Sequence, residues 1–550
     1  TLGKAISDFS PQRPEIITDA LLGSLKMLRQ LDMPKPMQEY WSNEITSTIF
    51  LCSGLFIETN CLTHSYSTKD KITLKTSIVN RGNLPVKIKS LDLPFGIYNS
   101  RADSGNLLSN ATLNLQDSGN TFIPTRWRPS ELYSYRRLSS LLYLGDDGSI
   151  KHLFNESFAD LSFMLQDIPL SYLYPVQYKW VDPEKGELYR PLVITPPVMI
   201  NLPEDVSVFG EPTQKQIKVV IKAGKDSVNG TLSFSSPEKI NTKIVVEEDK
   251  ANPQFALAKL TSFNISPLSY NFQIDKKGQE KEFVFTISAP KESNVAALKF
   301  LATVNGVEYS KGIKEIKYDH IPIQTLFPEA EIKLIRLDVK KKLKRIGYIP
   351  GAGDEVAPSL TQLGYEVVTI TGDMLANENL NQFEAIVTGV RAYNTNEKMP
   401  QFKQKLMDYV NNGGNLIVQY NTNSWAGPLS SDIGPYKFKI TRDRITDENA
   451  TVNFELANYP VLNYPNKITA KDFEGWVQER CIYSAGDVDS NYVMPLSMTD
   501  PDEKPNKGSL IIGKYGKGYF VYTGLVFFRE LPAGVPGAYR LFVNILELGK

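Results

Sequence analysis

Apolar residues recur at helical spacing near the start of the chain. Between residues 13 and 33 they fall three or four positions apart, the pattern of a helix that buries one face. The residues on that face are Ile17, Leu21, Leu22, Leu25, Leu28 and Leu31. A second helix is predicted from Pro36 to about Leu55. Because neither helix closes a core alone, residues 1–55 are predicted to be a helical connector that packs on another part of the protein.

The pattern changes from helical spacing to alternation after Phe56. The segment 70–82 alternates strictly, and 185–203 predicts two further strands. The apolar-side residues of the first segment are Ile72, Leu74, Thr76 and Ile78. The polar section 99–160 is predicted to form long loops with short strands. We therefore predict a β-rich sandwich over residues 56–205.

Residues 206–328 repeat the alternating pattern. Four segments alternate between apolar and polar positions and are separated by turns: 215–224, 230–236, 281–290 and 297–306. Short strands at this spacing are typical of an immunoglobulin-like sandwich.

After Ile332, strand patterns alternate with helix patterns. Strands are predicted at 345–349, 366–370, 384–390 and 415–420, with helices near 354–364 and 398–412. A hairpin over 508–528 and a helix from about Gly537 complete the chain. This order predicts a doubly wound parallel sheet, so residues 329–550 are expected to form an α/β flavodoxin-like domain.

Composition narrows the function classes. Lys plus Arg and Asp plus Glu number 61 each, which argues against nucleic-acid or anionic-membrane partners. The longest apolar stretch, 48–57, is about half the length of a membrane helix. The three cysteines, Cys52, Cys61 and Cys481, are predicted to be buried thiols, although Cys52 and Cys61 could pair. The three histidines are scattered and show no metal-ligand spacing, so no metal site is predicted.

A glycine turn follows the first strand of the last region. Gly351 and Gly353 match two positions of a dinucleotide fingerprint, but Val356 occupies the third, and no acidic residue follows the second strand at Thr371. No Walker motif is present either. We therefore predict a tight bend with Asp354 as helix N-cap and no cofactor.

Three loops are expected to meet at the carboxyl ends of the predicted parallel strands. They are Pro350–Asp354, Arg391–Asn394 and Asn421–Trp425. Arg391 offers a planar fork for a carboxylate or sugar hydroxyls, and Tyr393 and Trp425 could stack on a sugar ring. The candidate ligand-binding residues are Asp354, Arg391, Tyr393, Asn394, Asn421 and Trp425. The alternative is that these side chains only brace neighbouring loops.

Residues 472–480 form a second candidate, with Trp476, Glu479 and Arg480 as its members. Glu474 and Glu479 could serve acid–base chemistry, but an ion pair with an arginine is the simpler interpretation. No G-x-S-x-G elbow exists, and no histidine follows His320, so a serine or cysteine nucleophile has no partner there.

Several sequence segments resemble one protein family. They are GYIPGAGDEV, VTGVRAYNT, LIVQYNT, DFEGWVQER, FVYTGLVFFRELPAGVPGAYRLF and VDPEKGELYRPL. Together they look like the C-terminal part of large LmbE/PIG-L-type N-acetylglucosaminyl deacetylases of Bacteroidetes. The resemblance implies an upstream zinc deacetylase domain, a NEW3-like sandwich and a class I glutamine amidotransferase-like domain.

Two departures from that family concern catalysis. The zinc motif His-Pro-Asp-Asp is missing, and Asn421 stands where the amidotransferase nucleophile is expected. The resemblance therefore implies a non-catalytic accessory region that positions a deacetylase or binds its glycan, in the periplasm or outside the cell. The alternatives are a histidine-independent hydrolase that uses paired carboxylates, and a pure scaffold.

Overall fold

The computed structural model describes residues 2–95, 97–99, 106–121, 142–144, 150–152, 158–211, 213–235, 244–247, 257–260, 263–423 and 432–550. Strands account for about 41% of the chain and helices for about 20%, so the protein is β-rich. Within the described ranges, no helix combines the length and the apolarity needed to cross a bilayer. Cys52, Cys61 and Cys481 are free, buried thiols.

Helices at the start of the chain pack on the first β region. Their bounds are α1 Leu2–Asp8, a 3₁₀ turn Pro14–Ile17, α2 Thr18–Leu28 and α3 Lys35–Cys52. The buried leucines of α2 share one core with the strands that follow, and the Phe50 ring stacks on Tyr172 with centroids 3.8 Å apart. Leu31 lies beyond the end of α2 and is exposed.

The first β region contains two five-stranded sheets over that core, together with two short two-stranded pairs and a last strand that joins the next region. Its strands are β1 Leu55–Cys61, β2 Ser65–Ser67, β3 Lys71–Asn80, β4 Val86–Leu93, β5 Ile97–Asn99, β6 Asn106–Leu107, β7 Ala111–Asn120, β8 Leu142–Leu144, β9 Ile150–His152, β10 Phe158–Leu165, β11 Ile168–Pro175, β12 Gln177–Asp182, β13 Gly186–Pro191, β14 Val193–Thr195 and β15 Val198–Asn201. One sheet has the order β13-β12-β1-β3-β7, and the other includes β11-β10-β4-β5. This arrangement is compatible with a β-sandwich.

Strand β7 corrects one expectation. The section 99–160 was expected to form loops with short strands, yet β7 has ten residues and pairs with β3 along its whole length. Its sequence, ATLNLQDSGN, is polar because β7 is an edge strand with no buried residue. Strand β7 is therefore specified by its backbone pairing with β3, and the hydrophobicity pattern of the sequence does not reveal such pairing.

The second β region is also built from two sheets over one core. Its strands are β16 Val206–Phe209, β17 Gln214–Ala223, β18 Val228–Ser235, β19 Ile244–Glu247, β20 Leu257–Leu260, β21 Phe263–Ser266, β22 Tyr270–Ile274, β23 Glu280–Ser288, β24 Asn294–Val304, β25 Val307–Tyr309, β26 Lys314–Ile316, β27 Gln324–Leu326 and β28 Glu331–Arg336. The sheet orders are β15-β17-β23-β21-β20-β19 and β16-β28-β24-β18-β22. Because β15 and β28 join these sheets, the module extends beyond 206–328 on both sides.

The last region surrounds a seven-stranded mixed sheet. Its elements are β29 Arg345–Ile349, α4 Val356–Gln362, β30 Glu366–Thr369, α5 Gly372–Asn377, β31 Ala385–Thr388, α6 Ala392–Thr395, α7 Lys403–Asn411, β32 Asn415–Gln419, β33 Lys439–Ile440, β34 Val452–Phe454, β35 Ala485–Gly486, β36 Tyr492–Val493, β37 Leu496–Met498, β38 Leu510–Tyr515, β39 Gly518–Thr523, α8 Phe527–Glu530 and α9 Pro536–Leu546. The sheet order is β30-β29-β31-β32-β39-β38-β36, and the pairings of β38 are antiparallel.

The predicted fold class is wrong. β-Sandwich modules followed by an α/β flavodoxin-like, class I glutamine amidotransferase-like domain were expected, but the chain is a β-rich multidomain protein with no clear flavodoxin-like domain. Strand–helix alternation stops at β32: between β32 and β38 the described residues form only short strands, 3₁₀ turns and irregular chain. The helices α4, α5 and α6 are also short, with seven, six and four residues.

Both faces of the mixed sheet are buried. Alternate residues of its central strands enter two separate cores, as expected for strands covered on both sides. One core takes Ala385, Val387, Ile417 and Val521, and the other takes Ile386, Leu416, Val418 and Phe520. Helix α9 packs in the first core and α7 in the second.

Lysine side chains connect the second β region to the last region. Lys215 Nζ donates to the carbonyl oxygen of Gln362 at 3.2 Å, and Lys333 Nζ donates to that of Ala533 at 2.9 Å. Burial lowers the pKa of both lysines. The hydrogen bonds to carbonyl oxygens compensate in part for the lost hydration of the two ammonium groups. They also tie the second β region to the last region.

Candidate ligand-binding edge of the C-terminal sheet

The parallel strands β29, β31, β32 and β39 end at the same edge of the mixed sheet. The loops that follow them are therefore brought together, although they are far apart in the sequence. Most of the predicted site residues lie on these loops, and the structure assigns different tasks to them.

The glycine turn after β29 is a tight bend stabilised by Asp354. The Asp354 carboxylate accepts hydrogen bonds from the Tyr348 hydroxyl, from Val356 N–H at 3.0 Å and from Val390 N–H at 2.9 Å. A Cβ atom at Gly351 would overlap the carbonyl oxygen of Val390. The Asp354 side chain, which the sequence analysis predicts to contact a ligand, is thus engaged in hydrogen bonds within the protein.

The predicted capping residue differs by one position. Helix α4 has Glu355 at its N-cap, and the Glu355 side chain makes no capping hydrogen bond. Asp354, predicted as the N-cap, lies one residue earlier. Its carboxylate nevertheless satisfies the N–H of Val356 at the first helical position.

Asn394 and Asn421 join the loops after β31 and β32. Asn394 exchanges two hydrogen bonds with the backbone of Thr422, at 3.1 and 2.8 Å. The Asn421 side chain is fully buried; it accepts from Tyr393 N–H at 3.0 Å and donates to the Gln419 carbonyl at 3.0 Å. Burial raises the pKa of Tyr393. These contacts correspond to the bracing alternative.

Arg391 differs from its neighbours because its side chain is exposed. Its backbone is left-handed, with φ of 59°, and its N–H donates to the Tyr420 carbonyl at 2.8 Å. Its guanidinium makes no hydrogen bond or ion pair with any residue in the described ranges. Trp425, the remaining candidate, lies outside the described residues.

Three aromatic rings that the sequence analysis did not select meet at this edge. Tyr420 stacks on Tyr483 with centroids 5.8 Å apart and an interplanar angle of 9°, and it packs against Phe528 at 5.1 Å. The Arg529 guanidinium lies 4.8 Å from the centre of the Phe528 ring. We call Tyr420, Tyr483, Phe528 and Arg529 the aromatic face. Its four side chains are half-buried.

Charged groups act on the Tyr420 hydroxyl. Burial raises the pKa of Tyr420, whereas the guanidinium groups of Arg391 and Arg529 act to lower it and Glu479 acts to raise it. Arg529 Nε is 3.0 Å from Glu479, and Arg529 Nη1 donates to Gln478 at 2.7 Å. Glu479, a secondary candidate, therefore holds Arg529 at the aromatic face.

The other two secondary candidates lie in the core. Trp476 and Arg480 are 3% and 5% exposed. Trp476 Nε1 donates to the Asp472 carbonyl at 3.0 Å, and Arg480 donates to the carbonyls of Phe473 and Ala450. Burial lowers the pKa of Arg480. Both side chains are buried and organise the chain around residues 472–480 rather than facing solvent.

Left-handed backbone conformations cluster around the aromatic face. Besides Arg391, the residues Gln478 and Tyr483 have φ values of 74° and 52°. Such conformations are unfavourable for residues with large side chains, and they are common at binding sites, where the surrounding structure enforces them. Here they orient an arginine, the glutamine that contacts Arg529, and one ring of the aromatic face.

Glu530 is a fully buried carboxyl group next to Arg529. Both of its oxygens lie within hydrogen-bond distance of Val477 N–H, at 3.1 and 3.0 Å. Burial raises the pKa of Glu530 to about 8, despite the opposing effects of the Val477 hydrogen bond and of Arg480 and Arg529. At neutral pH this group is therefore mainly protonated.

A cavity of about 490 Å³ lies at a different set of residues. Its lining includes Asp487 and Lys507 and contains none of the predicted site residues. Asp487 pairs with Lys439 at 2.6 Å, and Lys507 pairs with Glu455 at 3.3 Å. In the described part of the chain, no group of three His, Cys, Asp or Glu side chains is placed to hold a metal ion.

Comparisons with known proteins add little. No protein-family model matches the chain, and no curated protein sequence matches it. Among solved structures, similarity is found to the sporulation control protein Spo0M from Bacillus subtilis, with 17% identity, 25% of this chain and 48% of that chain covered, and a TM-score of 0.13. The alkylpurine DNA glycosylase AlkC from Pseudomonas fluorescens has 9% identity, coverage of 31% and 48%, and a TM-score of 0.12.

A third similarity is to the α2-macroglobulin of E. coli, with 10% identity, coverage of 51% of this chain and 16% of that chain, and a TM-score of 0.17. This chain spans about half the length of the first two proteins, at 48% each. TM-scores this low support no inference about fold or function. The resemblance to LmbE/PIG-L deacetylases stays a hypothesis.

Replacing Gly351 by alanine is expected to destabilise the protein by about 2–3 kcal/mol, because the new methyl group would meet backbone atoms that cannot move aside. The free energy of unfolding from urea denaturation measures the effect. Gly372→Ala is the control, since a Cβ there has no neighbour within 4 Å. Equal stability of the two variants would contradict the tight-bend interpretation.

Glu530→Gln is expected to remove a pH dependence of stability. The folded protein keeps a proton that the unfolded chain releases above its usual pKa of about 4.3, so the free energy of unfolding of the native protein falls as pH rises from about 4.3 to about 8. The variant should gain stability relative to the native protein between pH 5 and pH 9, on the order of 3 kcal/mol.

Chemical denaturation at both pH values measures this gain. The exposed neighbour Glu474 provides the matched control, and Glu474→Gln should leave the pH dependence of the native protein unchanged. Parallel stability profiles of Glu530→Gln and the native protein would contradict the prediction.

Proposed function

We propose that this chain is a non-catalytic accessory region of a carbohydrate deacetylase and that it binds the glycan substrate of that enzyme at the aromatic face. The observation that carries the proposal is the convergence of three aromatic rings, the half-buried Arg529 and the exposed Arg391 at one sheet edge. Flat rings offer apolar area to the faces of sugar rings, and neighbouring guanidinium groups donate to sugar oxygens.

The proposed partner is an upstream deacetylase domain of the LmbE/PIG-L type, and the proposed location is the periplasm or the cell exterior. Both rest on the sequence resemblance. In this arrangement, the two β regions would space the deacetylase from the aromatic face, so that a long glycan could contact both. The glycan would gain affinity through simultaneous contacts.

The hydrolase alternative receives less support from the carboxylates. Asp354 is engaged by two N–H groups and a hydroxyl, and Glu479 is paired with Arg529. A glycosidase requires two carboxyl groups that face each other across an open cleft. The scaffold alternative is supported by the bracing contacts of Asn394 and Asn421, and binding measurements distinguish it from the proposal.

Tyr420→Leu is expected to weaken oligosaccharide binding at least fivefold, equivalent to about 1 kcal/mol, because leucine keeps the apolar packing but lacks the flat ring. Isothermal titration calorimetry of the whole chain with neutral N-acetylated and acidic tetrasaccharides measures it. Tyr318→Leu is the control, since Tyr318 is an exposed tyrosine in the second β region, between β26 and β27.

Melting curves of both variants verify folding. If no tetrasaccharide binds measurably, the proposal is rejected in favour of the scaffold alternative. An equal loss of affinity in Tyr318→Leu and Tyr420→Leu would place binding away from the aromatic face.

A further inference from the structure

The electrostatic balance of the aromatic face differs from that of the whole chain. Lys plus Arg equals Asp plus Glu over the sequence. Two positive guanidinium groups, those of Arg391 and Arg529, however, act to lower the pKa of the Tyr420 hydroxyl, which burial raises. Among carboxylates, only that of Glu479 opposes them. Arg391 therefore adds an excess of positive charge to the surroundings of the aromatic face.

Nearby carboxyl groups do not neutralise this excess. Glu479 is already paired with Arg529 at 3.0 Å. Asp354 directs both of its oxygens to groups of its own turn and of Val390. Glu530 is buried, and its raised pKa of about 8 keeps it mainly neutral at pH 7. Arg391 is therefore the cation whose charge the described part of the chain leaves uncompensated.

The direction of Arg391 is determined by the backbone. Its N–H bonds to the carbonyl of Tyr420 at 2.8 Å, and its own carbonyl accepts from Asn394 N–H at 2.9 Å at the start of α6. These two contacts hold the left-handed conformation and fix the Arg391 backbone next to that of Tyr420. Because the backbone of Arg391 is already ordered, only its side chain loses conformational entropy when it binds an anion.

We infer that the glycan bound at the aromatic face is acidic, and that a carboxylate or sulfate group of one sugar unit pairs with the guanidinium of Arg391 while the sugar ring lies on Tyr420. This inference rests on the proposed function. The planar guanidinium fork matches two oxygens of a carboxylate or sulfate, which gives paired, charge-assisted hydrogen bonds. A neutral sugar would leave that charge without a counter-ion.

The test compares three tetrasaccharides by isothermal titration calorimetry with the whole chain. They are tetra-N-acetylchitotetraose, tetragalacturonate and a chondroitin sulfate tetrasaccharide, which are neutral, carboxylated, and both carboxylated and sulfated. The acidic compounds are expected to bind at least tenfold more tightly than the neutral one. Arg391→Gln should reduce acidic binding about tenfold and leave neutral binding unchanged.

Two further variants distinguish the guanidinium from charge alone. Arg391→Lys keeps the charge and lacks the fork, so it should recover only part of the affinity. Lys517→Gln removes an exposed cation from the turn between β38 and β39, at the opposite end of the sheet, and should have no effect. The Arg391 side chain is exposed, so its variants are expected to fold normally.

The possible outcomes test the inference and the proposed function separately. Equal or tighter binding of the neutral tetrasaccharide, unchanged in Arg391→Gln, would overturn the inference and leave glycan binding intact. An equal loss of acidic binding in Arg391→Gln and Lys517→Gln would show unspecific charge attraction and also overturn it. No binding of any tetrasaccharide would overturn the proposed function together with the inference.

Discussion

Burial of both faces of the mixed sheet is the constraint on which the C-terminal region depends. The central strands β31 and β32 have no exposed residue, so each face must be covered by apolar groups from elsewhere in the chain. Helices α4 and α9 and the segments around Phe473 and Trp476 cover one face; α7 and the chain near Phe438 cover the other. The ends of the strands are then the part of the sheet that is not covered by these cores, and the loops that follow the strands lie close together there.

Crowded loops must satisfy their own polar groups, because buried N–H and C=O groups without partners are costly. Asp354, Asn394 and Asn421 perform this task with hydrogen bonds to backbone atoms. Arg480 does the same deeper in the core through two carbonyls. Polar residues that look like ligand contacts in the sequence are thereby used for folding, whereas the Arg391 side chain stays exposed and the aromatic face half-buried.

The candidate site was predicted only in part. Arg391 combines an exposed side chain with a constrained backbone, and its position after a buried strand made it visible in the sequence. The aromatic face was missed because Tyr420, Tyr483 and Phe528 come from three distant segments, two of which have no clear periodicity. FFRE at 527–530 contains two of the relevant residues, but nothing local separates half-buried Phe528 from buried Phe527.

Local periodicity alone determined much of the secondary structure. The alternation of 70–82 is the buried face of β3, and the leucines of α2 face its core, because one side of each element must leave water. The tertiary structure decided the polar edge strand β7, the irregular course of the described residues between β32 and β38, and the β-rich fold class. It also decided which polar residues are buried. These features depend on partners that are distant in the sequence, and hydrophobic spacing carries no information about such partners.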